Sequence, residues 1–360
     1  MCLAAISQLW AQSGPSGPGT GPQVVNPAAS QNNTESDNSD LHQAYQDYAD
    51  KKFSVAAAEL QAFVKKSPNT VEAHEMLADI FLRQNQVPQA VPELEAVVRL
   101  TPQDTTTRDI LGVAYLQVGD ADKAAALFQA ALTQSPKNAN YAFQYATALE
   151  KGGKHAEAAA EFEKAAALDP KNSCDPLYAG MLYHQIGDDA KAVPDLKTAL
   201  ALGTTEKFNV YSDLAQAAAA VKHNGDAIQD YALAAQAKPD DFDTEANLGI
   251  LNQNAGYAVE AETAYRQALT LKADDPKSRA DVQSNLAILL TTDGKLDEAA
   301  ALLVQAAQEQ PADTAIQDNL GTVYEKQGKT ALALAAYKQA LTLSPANDIA
   351  QAGAARLSKP

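Results

Sequence analysis

Five histidines, two short polar strings and one serine are the residues of this chain whose types could do chemistry. His42, His74, His155, His184 and His223 could ligate a metal or move a proton, but they are scattered along 360 residues and no pair has metal-ligand spacing. His74-Glu75 opens like a zinc-protease string and lacks the second histidine that would complete the site. Gln327-Gly328-Lys329-Thr330 ends like a phosphate-binding loop, yet the position where the earlier glycine is needed holds Val323. Ser16 stands between Pro15 and Gly17 and forms no nucleophile elbow. Cys2 and Cys174 are the only cysteines, too few for a disulfide framework or a cysteine zinc cluster. These residues assign no catalytic group, no metal and no cofactor, so an enzyme is not expected.

The elements that carry these residues repeat. Pro68, Pro102, Pro136 and Pro170 stand 34 residues apart, and the same interval, after short insertions, reaches Pro239, Pro311 and Pro345. Apolar residues at spacings of three and four predict two amphipathic helices per period. Gly119, Gly153, Gly187, Gly256, Gly294 and Gly328 fall between those helices, where a turn needs a permissive backbone. Each proline ends a second helix because it has no N–H to continue the ladder. Gly112, Ala124 and Ala131 mark close helix approaches, and Phe128, Phe162, Tyr231, Tyr265 and Tyr337 are expected to fill the wider gaps between units.

Leu111, Gly112, Tyr115, Gly119, Ala124, Phe128, Ala131 and Pro136 recur as Leu320, Gly321, Tyr324, Gly328, Ala333, Tyr337, Ala340 and Pro345. This combination resembles the tetratricopeptide repeat, a helix-turn-helix unit of 34 residues. The resemblance implies an all-α, right-handed α-solenoid of about nine such units with a C-terminal capping helix. Residues 41–70 read as a degenerate first unit, and 71–346 as the solenoid, with repeats at about 71–104, 105–138, 139–172, 173–206, 208–241, 242–275, 280–313 and 314–346. Residues 347–360 read as the cap and tail, with Ile349, Ala352 and Leu357 toward the last repeat. The period lapses at Gly203-Thr204, where a proline is expected, and again at an insertion of four residues between Lys272 and Lys277.

A net charge of −17 repels phosphate backbones and anionic lipid surfaces, so nucleic acid is not an expected partner and a basic or neutral one is. No apolar run approaches the length that spans a bilayer, so direct membrane insertion is not expected. Residues 14–40 are rich in Gly, Pro, Ser, Asn and Gln and read as a disordered linker. Before them, Cys2 to Trp10 is modestly apolar and Ala11-Gln12-Ser13 offers small residues for cleavage, although no Lys or Arg precedes Lys51. Residues 1–13 therefore read as the remnant of a signal peptide, which leads to an expectation of export, or as a cytoplasmic tail.

The resemblance also implies that first helices line a concave groove. At its sixth offset the seventh, eighth and ninth repeats carry Asn247, Asn285 and Asn319, a row of carboxamides able to bond the backbone of an extended peptide. This is similar to the asparagine ladder of sugar-transferring members of the family. The alternative is that asparagine merely follows the repeat pattern. Three such bonds at about 1 kcal/mol each fall short of the roughly 8 kcal/mol of a micromolar complex, so apolar anchors are required. Phe143, Leu177, Tyr178 and Met181 take groove-facing offsets as candidate anchors, or else a shifted fifth unit tucks them into its core. Glu72, Glu75, Asp79 and Asp109 form an acidic groove mouth, in which Asp79 lies too far along its helix to serve the helix dipole. Chaperone-tail clamps of the family use lysine, asparagine and arginine where this chain has Glu75, Ile110 and Gln144, which disfavours an acidic tail.

The leading expectation is a non-catalytic scaffold that holds a peptide or helix of another protein in its groove. Alternatives are a bacterial envelope assembly factor for polysaccharide export, pilus or outer-membrane machinery, and a regulatory subunit of an enzyme complex.

Overall fold

The computed structural model describes residues 35–358, and among these it holds nineteen α-helices and no strand. The chain divides into two compact units, one ending at Thr205 and one beginning at Glu206. The first contains five helix pairs: α1 (Glu35–Ala49) with α2 (Phe53–Lys66), α3 (Val71–Arg83) with α4 (Val87–Leu100), α5 (Thr105–Val118) with α6 (Ala121–Gln134), α7 (Ala139–Lys151) with α8 (His155–Leu168), and α9 (Cys174–Gln185) with α10 (Asp189–Ala201). The second contains four pairs and a closing helix: α11 (Lys207–Ala220) with α12 (Asn224–Ala237), α13 (Phe242–Ala255) with α14 (Ala258–Thr270), α15 (Pro276–Thr292) with α16 (Leu296–Glu309), α17 (Thr314–Lys326) with α18 (Thr330–Leu343), and α19 (Asp348–Leu357). Within each unit, pairs stack on their neighbours as in an α-solenoid. Helix α1 starts at Glu35, inside the segment read as linker. Residues 1–34, which include the expected signal remnant and the rest of that linker, lie outside the described residues.

Each pair is closed by one left-handed residue. Glycine takes this place at Gly119 (φ 86°) and Gly256 (φ 82°), where an L side chain would be strained. Lys51 (φ 61°), Asn85 (φ 57°) and Lys222 (φ 61°) do the same work in the pairs that lack a glycine there. At the far end of the second helices the residue before proline leaves the helical region, as at Ser67 (φ −126°, ψ 69°), and returns its N–H to Phe63 O. Gly203 (φ 79°) turns the chain after α10 instead, and Thr204 is buried behind it.

The core is a thin layer in which a small residue on the first helix receives a large one from the second. A Cβ on Gly112 would lie 2.5 Å from Phe128, one on Gly249 2.4 Å from Tyr265, and one on Gly321 2.4 Å from Tyr337. All three rings are essentially buried, each contributing on the order of 1.5–3 kcal/mol through burial. These rings lock a pair to itself, and filling between units, as sequence spacing suggests, is seen beside it, Tyr337 reaching Gly353 of α19 and Phe162 reaching Tyr178 of the next pair.

Helix α19 packs on the last pair with Leu357 inward, as expected, but not with Ile349 or Ala352. Ala350 and Gly353 are buried, and Ala354 and Leu357 pack beside them, whereas Ile349 is 59% exposed and Ala352 is exposed. Gly353 decides the rotation, because a Cβ there would lie 2.4 Å from the Tyr337 ring. Asn347 sets the start by capping α19, its Oδ1 accepting from Ala350 N at 3.1 Å.

Candidate protein-binding surface

Of the residues singled out for chemistry, His74, His184, Gln327 and Gly328 are engaged in structural roles, and Ser16 and Cys2 lie outside the described residues. His74 is buried, with Nδ1 2.6 Å from Glu93 Oε2 and Nε2 3.1 Å from the Pro68 carbonyl. Gly328 occupies the left-handed turn before α18, and Gln327 Nε2 beside it donates to Asp297 Oδ1 at 2.8 Å. His184 Nδ1 lies 2.7 Å from Asp189 Oδ1. Among the described residues no group of three or more His, Cys, Asp or Glu is placed to hold a metal ion. Nor, among them, is any helix long and apolar enough to cross a membrane.

In the first unit the acidic face is partly consumed by neighbouring repeats. Asp79 Oδ2 accepts from Tyr48 Oη at 2.5 Å and from Arg83 Nε at 2.5 Å, so its charge is already matched. Burial and this carboxylate push the Tyr48 hydroxyl up to about 12. Asp109 Oδ2 accepts from Tyr141 Oη at 3.1 Å, and burial raises its carboxyl against the pull of that bond. Glu72 and Glu75 remain exposed, and the Glu75 carboxyl is raised by burial first and then by Asp104 and Glu72.

Of the expected anchors, Phe143 and Leu177 lie in the core, at 8% and 2% exposure, while Tyr178 and Met181 are half-buried. The cause is Phe162. Its ring stacks on Tyr178 (centroids 5.2 Å apart) and meets the edge of Phe143 (5.4 Å), so Phe143 is not available to a partner, and Leu177, buried beside Tyr178, is not either.

In the second unit the three asparagines occupy corresponding places on α13, α15 and α17, each half-buried. Asn319 Nδ2 donates to Ser284 Oγ at 3.3 Å, which ties α17 to α15. Asn285 hydrogen-bonds the Tyr265 hydroxyl, which donates to Gln253 Oε1 at 2.7 Å and so links α15 to α13. Such a bond uses one site of a carboxamide that has two donors and an oxygen with two lone pairs.

Two residues on this face were not singled out by sequence reasoning. Ile250 and Ile288, 38% and 40% exposed, follow Asn247 and Asn285 by three residues and therefore share their helix faces. The signal was an apolar residue at one fixed offset from each asparagine. In the third copy the same offset holds half-buried Thr322.

A family model described as tetratricopeptide repeat matches residues 43–105, 111–173 and 284–348, more than half of the chain. The chain belongs to the tetratricopeptide repeat family. Relatives of this repeat chain include the photosystem I assembly protein Ycf3 of Synechococcus sp. (strain WH7803), 34% identical over 83 residues, which are 23% of this chain and 47% of that protein. The Ycf3 of Prochlorococcus marinus (strain MIT 9211) is 32% identical over the same shares. The chain spans about half the length of the curated relatives it matches. Among solved structures, Naa15/Naa10 bound to HypK-THB superposes with a TM-score of 0.51 at 14% identity, covering 99% of this chain and 62% of that one, a likeness of fold alone. A MamA protein gives a TM-score of 0.41 at 23% identity, over 45% and 92% of the two chains. The tetratricopeptide repeats support a protein-protein interaction scaffold.

Proposed function

We propose that this tetratricopeptide repeat chain is a non-catalytic scaffold that holds an extended segment of another protein across α13, α15 and α17. The observation that carries the reading is the recurrence of Asn247, Asn285 and Asn319 at one offset on three successive first helices, two of them beside an exposed isoleucine. Carboxamides bond backbone groups without regard to sequence, and the isoleucines add the apolar contact that three hydrogen bonds lack. An extended segment fits better than a helical one, because a helix has already paired its backbone groups internally.

A photocrosslinker placed at Asn247 or Asn285 should trap the partner, whereas one at Gln267, on the outer side of α14, should not. Capture should also weaken in the triple variant Asn247→Ala/Asn285→Ala/Asn319→Ala. Equal crosslinking from both faces would end the reading.

A second reading gives the scaffold a role in building a multiprotein complex. It is favoured by the partial match to proteins named for photosystem I assembly, and it would apply equally to an envelope assembly. A defect in complex assembly on deletion of the gene, with the individual components still made, is the expected result.

A further inference from the structure

We propose that repeats seven to nine receive a basic extended segment with an aliphatic residue at every third position, its lysines or arginines along Asp243 and Asp281 and its aliphatic side chains on Ile250 and Ile288. The inference rests on the groove reading above and adds the chemistry of the occupant.

Two successive first helices carry the same triplet. Asp243, Asn247 and Ile250 on α13 stand at i, i+4 and i+7, and so do Asp281, Asn285 and Ile288 on α15. That spacing places each triplet on a single helix face, so the two helices together present three rows, acidic, carboxamide and aliphatic. The isoleucines are exposed at 38% and 40%, while Leu251, Leu286 and Leu290 on the same helices are buried.

The acidic row is reinforced from the four-residue insertion. Asp274 and Asp275 stand close enough to Asp243 that, after burial, they and Asp241 raise its carboxyl by repulsion. Nearby cations relieve it only in part: Lys238 acts on it most weakly, with its Nζ held 2.7 Å from Asp241, and Arg279 is turned to the Leu269 and Leu271 carbonyls. Lys277 holds Asp281 at 2.8 Å, but this pair is exposed and gives way readily to another cation. A cationic occupant therefore meets a net excess of negative charge one turn from the carboxamides.

The period of the occupant follows from the helix spacing. First helices of neighbouring repeats approach closely enough for Asn319 to reach Ser284, a separation on the order of 8–10 Å. A polyproline-type chain advances about 9 Å in three residues, so one side chain in three meets each successive helix.

Fluorescence anisotropy with the full chain and three labelled peptides tests this: four tandem Lys-Pro-Val units, the same with Glu for Lys, and the same with Ser for Val. The Lys-Pro-Val peptide should bind saturably. Its Kd should rise about tenfold or more with Ile250→Ser/Ile288→Ser, and again when NaCl goes from roughly 0.05 to 0.5 M. The variant Asp243→Lys/Asp281→Lys should shift preference to the Glu-Pro-Val peptide. Ile250, Ile288 and Asp243 are exposed and Asp281 is half-buried, and unchanged circular dichroism melts would confirm that the variants fold. Preference of the native chain for Glu-Pro-Val, with loss in the serine variant, would overturn the basic occupant and leave the groove reading standing. Binding indifferent to both variants, or no binding of any peptide, would overturn the proposal, while the crosslinking contrast between Asn247 and Gln267 decides the groove reading separately.

Discussion

Asp175→Asn should stabilise the first unit at pH 8 and leave it nearly unchanged at pH 4. Asp175 lies in the first turn of α9, is 1% exposed, and its Oδ1 accepts no hydrogen bond from the described residues. Two effects compete there. An anion in a first helical turn gains about 0.3–1 kcal/mol from the helix dipole. Burial opposes this and, with a smaller addition from Asp169, pushes the carboxyl up to about 7 from its ordinary 3.8. A shift of that size corresponds to about 4 kcal/mol, or about 2–4 kcal/mol once water reaching the ionised group is allowed for, so burial wins. The sign follows from the raised value: the folded state holds the proton more tightly, and its advantage is complete below about pH 4 and lost as pH rises through about 7. Asparagine keeps the shape and the contact with Asn172 but cannot ionise. Urea unfolding of both chains between pH 4 and 8.5, with hydrogen exchange in α9 as the local reporter, should show a stability difference that opens from about pH 4 and is complete a little above pH 7. A variant less stable than the native chain at pH 8 would show that the dipole dominates and would refute the argument.

Two further changes bear on the stack. Gly321→Ala should lower stability by about 1–3 kcal/mol, since its Cβ would sit 2.4 Å from the Tyr337 ring, and a smaller residue in place of Tyr337 should recover part of the loss in thermal melts. Asn347→Ala removes the cap of α19 and the 2.7 Å donation from Asn347 Nδ2 to buried Asp318 Oδ2. A loss of about 1–3 kcal/mol and faster exchange of the α19 amides are expected, and native-like protection of α19 would contradict it.

What could be read from the residues was whatever depends on backbone geometry alone. A proline that ends a helix and a glycine that turns left-handed act through their own covalent structure, so Pro136 and Gly119 announced their elements without tertiary information. Lys51 and Lys222 adopt the same turn because the flanking helices impose it, and lysine does not signal that, whereas Asn85 is of a type that tolerates it. Side-chain roles were less legible, because offset along a helix specifies a direction but not what waits there. Phe143 and Asp79 both take groove-facing offsets, yet one is covered by Tyr178 and Phe162 and the other is claimed by Tyr48 and Arg83. Ile349 looked like a core residue by hydropathy, but the small Gly353 governs which face of α19 can approach a ring. The asparagines were found by their period, and the isoleucines beside them were passed over because an isolated exposed aliphatic residue is ordinary.

The fit of Phe128 on Gly112, of Tyr265 on Gly249 and of Tyr337 on Gly321 seals three helix pairs from within. Joints between pairs are then the places where length can change at little cost to the seal. The added residues before Lys277 show the result: α15 begins with Pro276 and runs for 17 residues, while Asp274 and Asp275 stand at its head beside Asp243. New recognition chemistry in such a chain can arise by splicing at a joint, leaving every sealed pair as it was.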